Sequence, residues 1–209
     1  MIDGRGTLAG TIAVVFIRRE YGPMQDYRTI IDIGANMGCF TVYAALTCPN
    51  AEIYCFEPEE RNFEVLTQNI AINSLEGRVR AFQCAIAASS GDREMAIGES
   101  PLNSLVPLEA CGTHQTVRCT TLRDFFIQNK LETVDFLKMN CEGAEYEIFE
   151  SCTREDFDRM PCIRLEYHNL GSAKQTGEWL AKHLESQGYQ IEHFTCYLEE
   201  SGFIWALRK

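Results

Sequence analysis

The chain has 209 residues, a net charge of −11 and a pI near 4.9. The length suits one domain with a full hydrophobic core. Phosphate neutralisation supplies most nucleic-acid affinity, so this acidity, without any basic run, argues against DNA or RNA as a partner.

The first apolar run, Leu8–Ile17, is too short to span a bilayer, and its arginines, Arg18 and Arg19, follow it, whereas a signal peptide carries its charge in front. The expectation is a helical segment over about residues 1–25, packed on a single domain that fills 1–209, with no membrane partner.

"TIIDIGANMGCF", Thr29 to Phe40, is an apolar run, an acid, and then glycines at Gly34 and Gly38 before a helical pattern. It predicts a strand, a tight turn and a helix. The dinucleotide fingerprint G-x-G-x-x-G would need glycine where the chain has Asn36 and Cys39. The spacing is instead Asp32-x-Gly34-x-x-x-Gly38. An acid at that strand end repels a pyrophosphate and suits a cationic ligand bearing an amino group or a sulfonium, which counts against a nicotinamide-dependent oxidoreductase. A turn whose glycines serve geometry alone is the plainer alternative.

The helix after this turn, Phe40 to Leu46, stops before Pro49. The next strand, Glu52–Phe56, runs into "EPEE". Pro58 is placed to open a helix, with Glu59 and Glu60 at its dipole and Phe63, Leu66 and Ile70 on one face. Glu57 stands about twenty residues past Gly38, where doubly wound sheets place the acid that takes both ribose hydroxyls. With the Gly34 turn it points to a nucleoside cofactor.

Further strands are expected at Val79–Cys84, Val134–Met139, Cys162–Leu165, Tyr189–Phe194 and Phe203–Leu207. Between the third and fourth, Ala87–Leu122 reads as an irregular stretch punctuated by Gly98, Pro101, Pro107 and Gly112, a candidate functional loop. Helical faces recur at Ala144, Ile148, Phe149 and Cys152, and at Trp179, Leu180 and Leu184, the latter ended by Gly188. Strand and helix in alternation imply a mostly parallel sheet covered on both faces, an α/β doubly wound, Rossmann-like fold. Only "EESG" separates the last two strands. A parallel crossover needs a dozen residues or more, so the last strand is antiparallel to its neighbour.

The ten cysteines include no C-x-x-C pair, which removes the common zinc spacing. Several sit in apolar runs, where free cysteine acts as a small hydrophobe. Reduced thiols and a cytoplasmic location are expected.

"IIDIGANMGCFTVYAA", "IYCFEPEERNFEVLTQNIAIN" and "VDFLKMNCEGAEYEIFES" together resemble the FkbM-type S-adenosylmethionine-dependent methyltransferases, from about Thr29 to Glu166. The Lys138-x-x-x-Glu142-Gly143-Ala144-Glu145 segment is the more specific part. The resemblance implies a class I methyltransferase fold with seven strands, the last antiparallel. It further implies S-adenosyl-L-methionine as cofactor, Glu142 near the transferred methyl, and oxygen methylation of a small metabolite or sugar. The family pattern has Asp where this chain has Asn140. Asn keeps the shape and loses the charge, which leaves room for a non-catalytic module that retains the cofactor pocket.

For the cofactor, the candidates are Asp32, Gly34, Asn36, Gly38, Glu57 and Asn140. A hydroxyl acceptor also needs a base, and Lys138, Glu142, Glu166 and His168 all fall at strand ends on one sheet edge. In "RLEYHN", Glu166 and His168 are two apart and share a face. His168 is the expected base, oriented by Glu166, with Lys138 holding any substrate anion. A divalent ion on Glu142, Glu166 and His168 is the alternative, and a surface loop histidine the bland one. The [Asn/Asp]-Pro-Pro-aromatic segment typical of base methylation is replaced by "NCEG". His114, His183 and His193 have no chemical neighbourhood, and Glu199-Glu200 reads as a solvated turn.

Overall fold

The computed structural model describes residues 10–97, 113–197 and 200–208. Its centre is a seven-stranded sheet. The strands that position the site are β1 (Thr29–Ile33), β2 (Glu52–Phe56) and β3 (Val79–Phe82) on one side, and β7 (Phe136–Met139), β8 (Cys162–His168), β9 (Tyr189–Phe194) and β10 (Ser201–Arg208) on the other. The order is β3-β2-β1-β7-β8-β10-β9. All pairs are parallel except those of β10, which inserts between β8 and β9 and runs antiparallel to both. The short 195–200 link therefore makes the hairpin that its length requires.

Apolar strands such as Ile30–Ile31 and Phe136–Leu137 are fully buried on both faces, as helix-covered parallel sheets must be. One core face gathers Phe40, Ala44, Leu66 and Ile70, and the other gathers Phe126, Phe149, Phe157 and Leu180. The helix Glu60–Ile72 starts two residues later than Pro58 suggested: Glu59 is its N-cap and accepts from the Arg61 and Asn62 N–H groups. The helix Gly177–Ser186 ends as expected, with Gly188 in the left-handed region at φ +89°.

The stretch Ala87–Leu122 is not simply irregular. β5 (Gly91–Ile97) and β6 (Thr113–Thr120) pair antiparallel, and β6 also pairs with β4 (Ala85–Ile86) in a second, three-stranded sheet. The positions that suggested a loop, Gly98, Pro101, Pro107 and Gly112, lie outside the described residues, as do Cys111 and Glu199. The N-terminal segment carries a six-residue π-helix, Ala13–Arg18, that buries Val15. No helix among the described residues is long and apolar enough to cross a membrane. The nine described cysteines are all free.

Candidate active site

At the carboxyl ends of β1, β2 and β7 the backbone turns away sharply, and the turns enclose a cleft. Gly34, at φ +71°, leaves β1. A Cβ there would sit 1.7 Å from the Asn140 carbonyl oxygen, and one on Gly38 (φ +86°) 2.7 Å from a Leu66 methyl. Both glycines are demanded by close approach of neighbouring protein, so Gly34 does not clear space only for a ligand. Asn36, also left-handed at φ 50°, points its N–H at Glu57.

Glu57 is 5% exposed and forms the floor of one half of the cleft. Its Oε2 accepts from the Asn36 N–H at 2.8 Å and its Oε1 from the Glu59 N–H at 3.0 Å. Each carboxylate oxygen keeps a further lone pair, an arrangement matched to two vicinal hydroxyls. Burial pushes its carboxyl up to about 7, against the lowering effect of the two N–H groups. Phe56, Pro58, Ile86 and Met95 add apolar walls. Met95 comes from the second sheet, which the sequence did not reveal.

Asp32 and Lys138 face one another in register on β1 and β7. The Lys138 ammonium lies 2.9 Å from Asp32 Oδ1 and donates to the carbonyls of Gly34 at 2.7 Å and Ile33 at 3.2 Å. Those three partners match its three N–H donors. Asp32, fully buried, also accepts from the Thr41 hydroxyl at 2.6 Å. The Asp32 charge is balanced inside the protein by Lys138, whose three donors are all engaged there. Together they lock the Gly34 turn.

Beyond Gly34 the cleft continues into a second half, lined by Val14, Tyr21, Phe40, Asn140, Glu142 and Glu166. Gly34, Asn36, Asn140 and Glu142 line both halves. Glu142 is a non-glycine residue at φ 54°, followed by Gly143 at φ 101°. Such backbone is held only where its surroundings impose it. Here Glu145 reaches back from the first turn of the helix Glu145–Ser151 to accept the Cys141 N–H at 3.1 Å, tying the turn.

His168 stands between two carboxylates. Its Nδ1 is 3.3 Å from Glu145 Oε1 and its Nε2 is 3.3 Å from Glu142 Oε2. Tyr146 donates to its carbonyl at 3.0 Å. Burial works against a charged ring, but Glu145, Glu142 and Glu166 outweigh it and push the imidazole up to about 9. Both nitrogens are engaged, and the surrounding acids favour the charged form of the ring over the neutral acceptor expected near pH 6–7. Burial pushes Glu142 up to about 7, moderated by His168. It also raises Glu166, whose Oε2 accepts from Asn140 Nδ2 at 2.8 Å.

The structure thus brings Glu142, Glu166, His168 and Asn140 together and sets Lys138 behind them. Among the described residues no group of side chains has the arrangement of a metal site. Glu145 and Tyr21 also belong to the site, and the sequence does not mark them as such. Tyr21 precedes the first strand with no motif around it. His183 stacks on Trp179 and His193 packs on Trp205, both outside the cleft.

A parallel sheet with one inserted antiparallel strand, a glycine turn after β1 and an acid after β2 define a class I methyltransferase fold. The match of a methyltransferase FkbM domain to residues 32–191 makes the assignment specific: the chain belongs to the FkbM methyltransferase family. It is 28% identical over 193 residues to Methyltransferase sdnD of Sordaria araneosa, covering 78% of this chain and 73% of the relative. It is 24% identical over 193 residues to the 31-O-demethyl-FK506 methyltransferase FkbM of Streptomyces tacrolimicus, covering 78% and 72%. The crystal structure of Methyltransferase FkbM from Methylobacillus flagellatus KT shares the fold, with TM-score 0.61 and 14% identity over 92% of this chain. The chain spans 47% of that structure's length.

Proposed function

We propose that this methyltransferase uses S-adenosylmethionine to methylate a hydroxyl on a small metabolite or sugar, with Glu142 as the base. The carrying observation is the position of Glu142 at the junction of the two halves of the cleft, in a backbone conformation that its surroundings enforce.

The residues present suit the cofactor. Glu57 offers paired acceptors for the ribose hydroxyls. Phe56, Pro58, Ile86 and Met95 suit the adenine, and the Gly34–Asn36 turn suits the methionine portion. The cofactor, when bound, would supply an electrophilic methyl group. A Glu142 carboxylate oxygen would take the proton of the acceptor hydroxyl. His168 holds Glu142 in place and keeps enough of it ionised to accept. Glu145 holds His168 from its other side. The Tyr21 and Phe40 rings give the acceptor half a dry wall. Lys138 lines this half, but its donors are engaged by Asp32 and the Gly34 and Ile33 carbonyls rather than held ready for a substrate carboxylate or phosphate. An uncharged acceptor fits that lining.

The O-demethyl substrate in the name of the Streptomyces relative supports oxygen as the methylated atom. The test is single turnover with methyl-labelled cofactor over a panel of uncharged polyols, sugars and hydroxylated metabolites. The expected result is label on oxygen, lost by about 10²–10⁴-fold in Glu142→Gln. Unaltered transfer by Glu142→Gln would remove it as the base, and label on nitrogen or carbon would overturn the O-methylation proposal.

A further inference from the structure

We infer that Glu142 and Glu166 select the donor by its charge, holding the sulfonium cofactor more tightly than the neutral thioether left after transfer. This rests on the cofactor proposed above. A donor with its ribose on Glu57 and its methyl directed at the second half of the cleft must cross the junction, and the atoms there are those of Gly34, Asn36, Asn140 and Glu142. Glu166 lies immediately beyond, tied to Asn140.

The charges facing this junction do not cancel. From β1 and β7 come Asp32 and Lys138, which pair at 2.9 Å, and Lys138 also acts to lower Glu142 and Glu166. The helix Glu145–Ser151 brings Glu145, and β8 brings Glu166 and His168. The N-terminal segment adds Tyr21 and, more remotely, Glu20. His168, and a Lys138 that is shared with Asp32, therefore stand against three acids, Glu142, Glu145 and Glu166. Buried like-charged acids without enough cations hold on to protons, and both Glu142 and Glu166 are shifted upward. A cation entering the junction reverses that balance and ionises them. The donor thereby favours the ionised form of the carboxylate proposed to take the acceptor's proton. After transfer the sulfur is neutral and Glu142 carries that proton, so both partners of the attraction are lost and the product is released more readily.

The test is calorimetric titration of the full chain with S-adenosylmethionine and, separately, S-adenosylhomocysteine, between about pH 6 and pH 8. The ratio of the two affinities cancels the ribose contact at Glu57, which both ligands make. Preference for the sulfonium should grow by about tenfold across that interval, with more protons released on binding it than on binding the thioether. Glu166→Gln and Glu142→Gln, each nearly the same shape as the native side chain, should flatten the pH dependence of the ratio while retaining affinity for the thioether, which also reports that the variant is folded. Glu166→Asp should restore part of it. A ratio that is independent of pH and unchanged in both glutamine variants overturns charge selection alone. Failure of both ligands to bind the wild type overturns the cofactor proposal and this inference with it.

Discussion

Asn140 Nδ2 donates to Glu166 Oε2 at 2.8 Å, across the carboxyl ends of β7 and β8. An amide can donate to an ionised acid; a carboxylate in its place could do so only by holding a proton. Asn140→Asp would therefore set two acids against one another, and the pair would share a proton. Its folded-state pKa lies above that of the unfolded chain, so folding favours the protonated form and the variant loses stability as pH rises through the folded value. The deficit relative to wild type should be small near pH 5 and reach roughly 1–3 kcal/mol near pH 8. Urea denaturation at several pH values measures it. An equal deficit at all pH values would show that the acids do not interact.

The Asp32–Lys138 pair predicts a different behaviour. Lys138→Met removes the cation and leaves Asp32 buried with only the Thr41 hydroxyl among its side-chain partners here. Breaking a buried pair from one side costs about 3–5 kcal/mol. Adding Asp32→Asn removes the orphaned charge and should recover much of the loss. Chemical denaturation of the single and double variants checks this, and a double variant no more stable than Lys138→Met would rule out charge burial as the cause.

The main sheet was legible because its strands are short apolar runs with clear breaks. Thr29–Ile33, Glu52–Phe56 and Tyr189–Phe194 fall where the pattern puts them. The second sheet was not legible. In its strand Thr113–Thr120, only Val117 and Cys119 are buried among the described side chains, with polar neighbours between, and the punctuation between its strands points to a loop. The residues of the cleft were visible as types at strand ends: Glu57, Asn140, Glu142, Glu166 and His168. Their protonation was not. His168 differs from an ordinary histidine because Glu145 and Glu142 flank it, and nothing in the sequence gives the turn that folds them onto the ring. Gly34 was visible as a glycine, but the carbonyl it must avoid belongs to Asn140, distant in sequence.

Glu57 predicts how cofactor affinity depends on pH. Hydroxyl donors favour its ionised form, and its carboxyl is raised by burial to about 7. Affinity for S-adenosylhomocysteine should therefore increase as pH rises through about 7. Glu57→Gln should lower that affinity by about ten- to a hundredfold, the equivalent of roughly 1.5–3 kcal/mol for hydrogen bonds to a charged group. It should also abolish the pH dependence. Calorimetry across the range decides it, and a pH-independent wild type would show that Glu57 does not carry the ribose.

The last prediction concerns His168 and the pH dependence of turnover. If Glu142 is the base, kcat rises with pH as Glu142 ionises, and the wild-type limb lies near its value of about 7 before the donor is bound, or lower once the sulfonium is in place. A second limb should fall near pH 9, where His168 loses the proton that steadies Glu142. His168→Ala removes a positive charge beside Glu142. The carboxylate then ionises less readily, so the rising limb moves to higher pH and the falling limb disappears. Turnover at neutral pH should drop by about 10–10²-fold through loss of ionised, positioned base. Were His168 itself the base, its removal would instead erase the rising limb. Glu142→Gln separates the two further: it should abolish the rising limb with His168 intact. Profiles of kcat for wild type, His168→Ala and Glu142→Gln on one authentic acceptor distinguish the assignments, and a rising limb that survives Glu142→Gln unchanged would return the base to another residue.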